Sequence, residues 1–103
     1  MPDVSGLSDP EVLTQALALV DDGLPFHAHE MCEQRWRTCS PDDRELWRAL
    51  AQWGAAETHA ARGNGEGARR LAERALAGLS GCDPSHVAMS GIDRVRARCL
   101  VLA

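Results

Sequence analysis

The fold is decided by residues 46–65, whose sequence is LWRALAQWGAAETHAARGNG. Leu46, Leu50 and Trp53 recur at helical spacing and form one apolar strip. The Gly-Asn-Gly break at 63–65 is too short for anything except an antiparallel helical hairpin. Small side chains crowd the helix before the break, so a neighbouring backbone can approach closer than the usual distance of about 8 to 10 Å. They are Ala49, Ala51, Gly54, Ala55, Ala56, Ala60 and Ala61. We therefore expect this helix to be central.

Capping residues on both sides of this stretch predict further helices. Ser8-Asp9-Pro10-Glu11 has the form of a capping box with proline in the first turn, and capping residues also occur at 40–43 and 90–93. No segment alternates with period two. The predicted helices span about residues 9–22, 25–38, 41–62, 65–80 and 91–102. We predict a single all-α domain over residues 1–103, an antiparallel bundle or array of four main helices plus a short C-terminal helix.

The composition is that of a globular domain. The chain has 103 residues, of which 45% are hydrophobic, and its net charge of −4 argues against a nucleic-acid partner. No segment approaches the roughly 18 to 20 apolar residues that cross a bilayer, and no early positive charge marks a signal peptide. The cysteines, Cys32, Cys39, Cys82 and Cys99, match no zinc or redox spacing. We therefore expect a cytoplasmic protein with reduced thiols and with no membrane or nucleic-acid partner.

Reactive side chains are concentrated in the second predicted helix, in the stretch FHAHEMCEQRWR at residues 26–37. His29 and Glu33 are one helical turn apart, and Glu30 and Glu33 are offset by three residues. All three side chains therefore project from one side of the helix. This arrangement suits a metal ion or a proton, and it equally suits a buried polar network.

Polar residues also interrupt the third predicted helix, which is otherwise rich in small and apolar side chains. Glu57 shares a strip with Leu50 and Trp53, so it either carries a desolvation cost or faces a polar partner. Gln52 and His59 lie roughly on the opposite strip. Because buried polar groups need partners, we expect these two side chains to face the reactive stretch across a close helix pair.

The motifs together resemble the domain-of-unknown-function family 309. The matching residues are Phe26-x-Ala28-His29-Glu30-x-x-Glu33-x-x-Trp36-Arg37, then Leu50-x-Gln52-x-x-Ala55-Ala56-x-x-His59-x-x-Arg62-Gly63-Asn64-x-x-Gly67-Ala68, and then Leu71-x-x-Arg74-Ala75-Leu76. The resemblance runs from about residue 8 to residue 102. It implies a small all-α protein of the bacterial, archaeal or plastid-related kind. Some members carry the label of metal-dependent hydrolase, which implies a metal site at the His-Glu motif.

One functional hypothesis is a metal site. His29-Glu30-x-x-Glu33 has the spacing of the H-E-x-x-H zinc helix with a carboxylate in place of the second histidine, and His59 offers a third ligand. Imidazole and carboxylate ligands suit zinc, manganese or iron. In a hydrolase, Glu30 would act as a general base on metal-bound water.

A purely structural hypothesis uses the same residues. A hydrogen-bonded network would lock the second helix against the third, with Arg35 or Arg37 as partner of the carboxylates. The network members are His29, Glu30, Glu33, Trp36, Gln52 and His59. Two nearby carboxylates are costly to bury without a cation, so the metal and network hypotheses both stay open.

A third hypothesis is a protein-interaction module. Residues 52–79 resemble one tetratricopeptide-like hairpin, with Gly63 and Asn64 at the turn and Ala68 and Ala75 at small positions. A single hairpin cannot bury its own face. The first two helices, a partner protein or a second copy of the chain would therefore have to cover it.

Overall fold

The computed structural model describes residues 4–82 and 91–103, and the regular elements in them are all helical. The α-helices are α1 (Asp9–Asp21), α2 (Pro25–Thr38), α3 (Arg44–Ala61), α4 (Gly65–Ser80) and α5 (Ile92–Leu102). The predicted all-α fold is confirmed. None of the helices in the described ranges is long and apolar enough to cross a membrane.

The helix ends follow local capping chemistry. The backbone N–H of Ser8 donates to Glu11 Oε1 at 2.9 Å, and Ser8 Oγ accepts from the Glu11 N–H at 3.3 Å, so the predicted capping box is confirmed. The third helix begins later than predicted, because Pro41–Asp43 form a short 3-10 turn before α3. Ser90, the first residue of the predicted capping motif at 90–93, lies outside the described residues.

Helix α3 is central, as its small residues predicted. It packs against α2 on one side and α4 on another, while α5 contacts both α3 and α4, and α1 packs on α2. Leu46, Trp47, Leu50 and Trp53 of α3 are each no more than 2% exposed. Burial of these large side chains contributes about 1.5–3 kcal/mol apiece relative to leaving them in water.

Glycines set two of the close helix contacts. A Cβ built on Gly54 would lie only 2.6 Å from the His29 Cα, so α2 and α3 approach each other closely at His29, within the reactive stretch. A Cβ on Gly78 would lie 2.9 Å from the Ala49 Cβ, so α4 approaches α3 in the same manner. The prediction of close approach is confirmed, and glycine is required at both positions because any side chain would force backbones apart.

Glu57 has the polar partner that its position demanded. Its carboxylate is 4% exposed and accepts from Arg98 Nε and Nη2, both at 2.8 Å, and from the Trp53 indole N–H at 3.1 Å. The hydrogen bonds that Arg98 donates to Glu57 raise the pKa of the Arg98 guanidinium above its usual value. Because Arg98 belongs to α5, the bidentate pair fixes the last helix on α3.

The C-terminal half of α2 holds the segment that precedes α1. Gln34 Oε1 accepts from the Val4 N–H at 2.7 Å, and Arg35 Nη2 donates to the carbonyls of Val4 at 3.0 Å and Leu7 at 2.5 Å. Arg35 also lies 3.4 Å from the Asp9 carboxylate. Of the two arginines proposed as partners for the carboxylates of the reactive stretch, Arg35 therefore serves the N-terminal segment instead.

Candidate functional site

His29 and Glu33 form the core of the candidate site. His29 Nδ1 lies 3.0 Å from the Ala51 carbonyl of α3, and since a carbonyl only accepts, Nδ1 carries a hydrogen. His29 Nε2 lies 3.0 Å from Glu33 Oε2. Arg37 donates to the other Glu33 oxygen. The imidazole thus connects α2 to α3 while the His29 side chain remains 23% exposed to solvent.

His59 is held elsewhere, by the turn between α3 and α4. Its Nδ1 lies 3.0 Å from Asn64 Nδ2, and Asn64 Oδ1 accepts from the Gly67 N–H at 3.0 Å. The Asn64 N–H donates to the His59 carbonyl at 2.8 Å. A Cβ on Gly67 would lie 2.7 Å from the Asn64 amide nitrogen. The His-x-x-Arg-Gly-Asn-x-x-Gly part of the motif therefore builds a helical turn, in which Gly63 adopts a φ of +80°.

The structure does not bring the proposed metal ligands together. Within residues 4–82 and 91–103, no group of three or more His, Cys, Asp or Glu side chains is arranged to hold a metal ion. His29 and Glu33 are in contact, whereas His59 is bonded to Asn64. The network that sequence reasoning drew as one unit is thus divided, with one part between α2 and α3 and another in the α3–α4 turn.

The remaining residues of the predicted site line a surface depression. Glu30 lines a cavity of about 290 Å³ beside His29 and Glu33. Trp36 lies under the Arg44 guanidinium, which is 5.4 Å from the ring centroid, a cation–π contact. Gln52 is partly buried and makes no hydrogen bond to another residue of the described chain.

Three adjoining cavities form one open groove along α2, α3 and α4. The first cavity shares His29 and Glu33 with a middle cavity of about 210 Å³, and the middle cavity shares Arg48 and Gln52 with a third of about 340 Å³. We call this continuous depression the groove. Its lining residues are Phe26, His29, Glu30, Glu33, Gln34, Trp36, Arg37, Glu45, Arg48, Ala49, Ala51, Gln52, Ala55, Leu71, Arg74, Ala77 and Gly78.

An exposed aromatic ring marks the α2 end of the groove. Phe26 is 45% exposed, its ring centroid is 6.1 Å from that of His29, and the Arg62 guanidinium lies 5.7 Å from the Phe26 centroid. Large exposed apolar side chains next to a polar depression are typical of binding surfaces. The ring therefore adds an apolar contact to this end of the groove.

Sequence reasoning missed two residues of the groove, Arg48 and Arg74. Arg74 was named only as a residue of the family motif, and Arg48 was not singled out. The signal was present in the spacing, because Arg48 lies four residues before Gln52 and Arg74 lies four before Gly78, so each pair shares a helix face. What the spacing could not show is that these two faces meet.

The cysteines do not contribute to the groove. Cys32 and Cys99 are fully buried, and desolvation raises the pKa of each thiol to about 12. Burial also raises the pKa of the Cys39 and Cys82 thiols. All four are free thiols rather than disulfide partners. Because the thiolate is the nucleophile and metal ligand, these cysteines are suited to packing.

The fold and groove define a small all-α array with a polar open depression. The chain belongs to the family described as "Domain of unknown function (DUF309)", whose model matches residues 13–71. The match runs from α1 into α4, so it includes His29, Glu33, Gln52 and the α3–α4 turn and excludes Arg74 and α5. The family predicted from the sequence is thereby confirmed, over residues 13–71. Searches of curated proteins and of solved structures gave no match.

Proposed function

We propose that this protein is a binding module that holds a segment of another protein in the groove. The observation that carries the proposal is Gln52, a partly buried amide at the junction of two cavities with no hydrogen-bond partner in the described chain. The polar residues that follow it on α3 are bonded within the protein: Glu57 to Arg98, Thr58 to the Gly54 carbonyl and His59 to Asn64. A partly desolvated amide with unused donors and acceptor is suited to a ligand.

The shape of the groove favours a peptide over a small molecule. The cavities lie side by side along three helices instead of forming one enclosed pocket, whereas small-molecule sites surround most of the ligand surface. A peptide backbone offers repeated N–H and C=O groups to an amide such as Gln52. The exposed Phe26 ring adds an apolar anchor at one end.

A peptide selection tests the proposal. Random displayed peptides would be selected on the wild-type protein and then measured on three variants. Ala55→Arg places a long side chain in the middle cavity, Gln52→Ala removes the amide, and Ala60→Arg puts the same charge on an exposed position of α3 outside the groove.

We expect selected peptides to bind wild type and Ala60→Arg equally and to lose about tenfold or more in affinity on Ala55→Arg. Gln52→Ala should weaken binding by a smaller factor. Thermal unfolding of each variant checks that the fold is retained. Failure to select any peptide, or selected peptides that bind Ala55→Arg as tightly as wild type, contradicts the proposal.

A second candidate is a divalent cation between His29 and Glu33, with zinc, manganese or iron as the ions of suitable chemistry. The supporting observation is that His29 Nδ1 donates to a backbone carbonyl, the arrangement that orients metal-binding histidines, while Nε2 lies 3.0 Å from a carboxylate oxygen. Catalytic zinc sites have three protein ligands, and the described residues offer two here. The hydrolase alternative, with Glu30 as base, is therefore less well supported than the binding module.

Metal analysis tests the second candidate. Protein purified without chelator or affinity metal would be assayed for zinc, manganese and iron alongside His29→Ala and Glu33→Gln. Retained metal that both variants lose would support a cation site, and His59→Ala should then leave the metal content unchanged. A wild type that cannot be loaded with any of the three ions rules it out.

We also infer a cytoplasmic location with protein partners and no nucleic-acid partner. The four cysteines are free, and the net charge of −4 disfavours polyanions. A second copy of the chain is one protein that could occupy the groove. Light scattering across a concentration series measures this directly, and Ala55→Arg should abolish any dimer that uses the groove.

A further inference from the structure

The geometry points to a carboxylate-binding subsite at the α3–α4 end of the groove, formed by Arg48, Gln52 and Arg74, which takes an aspartate or glutamate side chain of the bound peptide. This inference rests on the proposed binding function and names the ligand chemistry for it. The three side chains line the cavity of about 340 Å³ together with Glu45. Nothing in the family match assigns these residues a role.

The register of α3 against α4 places Arg48, Gln52 and Arg74 around one cavity. Ala49 faces Gly78, since a Cβ on Gly78 would lie 2.9 Å from the Ala49 Cβ. Helices α3 and α4 are antiparallel, so Arg74, four residues before Gly78, lies near the level of Gln52, and Arg48 lies near the level of Gly78. The floor of this cavity consists of small residues, Ala49, Ala77 and Gly78, which leave space above them. Long side chains from both helices can therefore converge on a group that rests there.

Arg48 and Arg74 are the two arginines that line this cavity. Neither forms an ion pair or hydrogen bond with another residue of 4–82 or 91–103. Arg35, Arg37, Arg69, Arg94 and Arg98 pair with carboxylates, and Arg44 and Arg62 lie over aromatic rings. Arg70 and Arg96 also have no such pair among the described residues, but neither of them lines the groove. Two free guanidiniums in one cavity of an acidic protein favour an anionic ligand.

The charge of the cavity favours a carboxylate over a phosphate. Glu45 also lines the cavity, and its Oε2 lies 3.6 Å from the position of a Cβ on Gly81, so the carboxylate is at the α4 C-terminal edge. Two arginines and one glutamate give the lining a net charge of +1. A single carboxylate neutralises this charge, whereas a phosphate of charge near −2 would leave an excess beside Glu45.

The test uses peptides selected on the groove and synthesised in matched forms. We expect an acidic residue to be enriched at one peptide position, and its replacement by the isosteric amide to weaken binding about tenfold. Arg48→Gln and Arg74→Gln should each weaken the acidic peptide and leave the amide peptide unchanged. Arg70→Gln is the matched control, because it removes the same charge from an exposed position of α4 outside the groove.

Other outcomes separate this inference from the proposed function. Peptides that require Ala55 to stay small but show no preference for an acidic residue would overturn the subsite and leave the binding module intact. Tighter binding of a phosphoserine form than of the glutamate form would overturn the carboxylate assignment.

A direct titration decides the case if no peptide is selected. Acetylglutamate amide and its glutamine counterpart would be titrated while NMR follows the Gln52 side-chain amide and the guanidinium N–H signals of Arg48 and Arg74. Shifts caused by the acid alone, and lost in Arg74→Gln, support the subsite. The absence of such shifts overturns it.

Discussion

Two carboxylates, Glu57 of α3 and Glu33 of α2, show how differently this fold treats the same chemical group. Glu57 is 4% exposed and accepts from Arg98 and from the Trp53 indole, so both of its oxygens are satisfied inside the protein. Glu33 also has two partners, His29 and Arg37, but its side chain is 29% exposed and lines the groove. Glu57 is a buried carboxylate that connects two helices, whereas Glu33 lies at the surface.

The difference lies in what surrounds the carboxylate. A buried carboxylate has lost its water and depends on every protein donor, so the loss of one donor leaves an uncompensated charge. Water can replace a lost partner at Glu33, and so can a ligand. The residue that looked anomalous in the sequence is therefore structural, whereas the residue in the conspicuous motif is free to change partners. The following substitutions test this contrast.

The largest effect is expected from Arg98→Ala. It leaves the buried Glu57 carboxylate with only the Trp53 N–H and should lower the free energy of unfolding by about 3 kcal/mol, the low end for a broken buried pair because Arg98 is itself half-exposed. Urea denaturation measures the change. Arg94→Ala is the control, since its pair with Asp21 is exposed on both sides and should contribute less than about 1 kcal/mol. Equal losses in the two variants would contradict the contrast.

The second effect concerns the packing that places His29. Gly54→Ala puts a Cβ 2.6 Å from the His29 Cα and should destabilise the protein by about 1–3 kcal/mol, although alanine favours a helix by about 1 kcal/mol. Gly65→Ala is the control, because nothing lies within 4 Å of its Cβ. Its effect should be neutral or stabilising by at most about 1 kcal/mol. A stabilised Gly54→Ala would show that the helix approach is not tight.

A smaller effect is expected from His29→Ala. The variant loses the hydrogen bonds to the Ala51 carbonyl and to Glu33, but solvent reaches the site, so the cost should be about 1 kcal/mol. His27→Ala, at an exposed position of the same helix, should change stability by no more than about 0.5 kcal/mol. A loss for His29→Ala as large as that for Arg98→Ala would mean that the His29–Glu33 pair in the groove stabilises the fold as much as the buried Arg98–Glu57 pair.

The smallest effect extends the comparison to a fully exposed carboxylate. Hydrogen bonds from the Ser8 backbone and side chain lower the pKa of Glu11 from its usual 4.5. A lowered folded-state pKa means that the ionised Glu11 stabilises the fold above the unfolded-state pKa, and that this contribution disappears as pH falls through the folded-state pKa. The stability difference between wild type and Glu11→Gln should therefore shrink between about pH 5 and pH 3. Thermal unfolding across that range measures it, and a constant difference would contradict the capping geometry.

Part of the candidate site could be predicted from sequence because it lies within one helix. The contact of His29 with Glu33 and the salt bridge of Glu33 with Arg37 both follow from a spacing of four residues. The Ser8–Glu11 capping box is equally local.

Contacts between helices were harder to predict. His59 was expected beside the reactive stretch, but the turn residue Asn64, only five positions later, holds its ring. His59 can bond to Asn64 within the turn, whereas a contact with the reactive stretch would require α2 to be positioned against it. The local hydrogen bond therefore forms. Arg98 as the partner of Glu57 is 41 residues away in the chain, and no pattern connects the two.

The sequence by itself determined the helices, the hairpin turn, the centrality of α3 and the close approach of a neighbouring helix to it, because spacing, capping and side-chain size act over a few residues. Only the tertiary structure decided which polar groups form buried pairs between helices and which line the groove. That choice depends on how the helices are rotated and shifted against one another, and Gly54 against His29 and Gly78 against Ala49 set this register. Small differences in packing therefore separate the structural Glu57 from the accessible Glu33 and place Arg48 and Arg74 in one cavity.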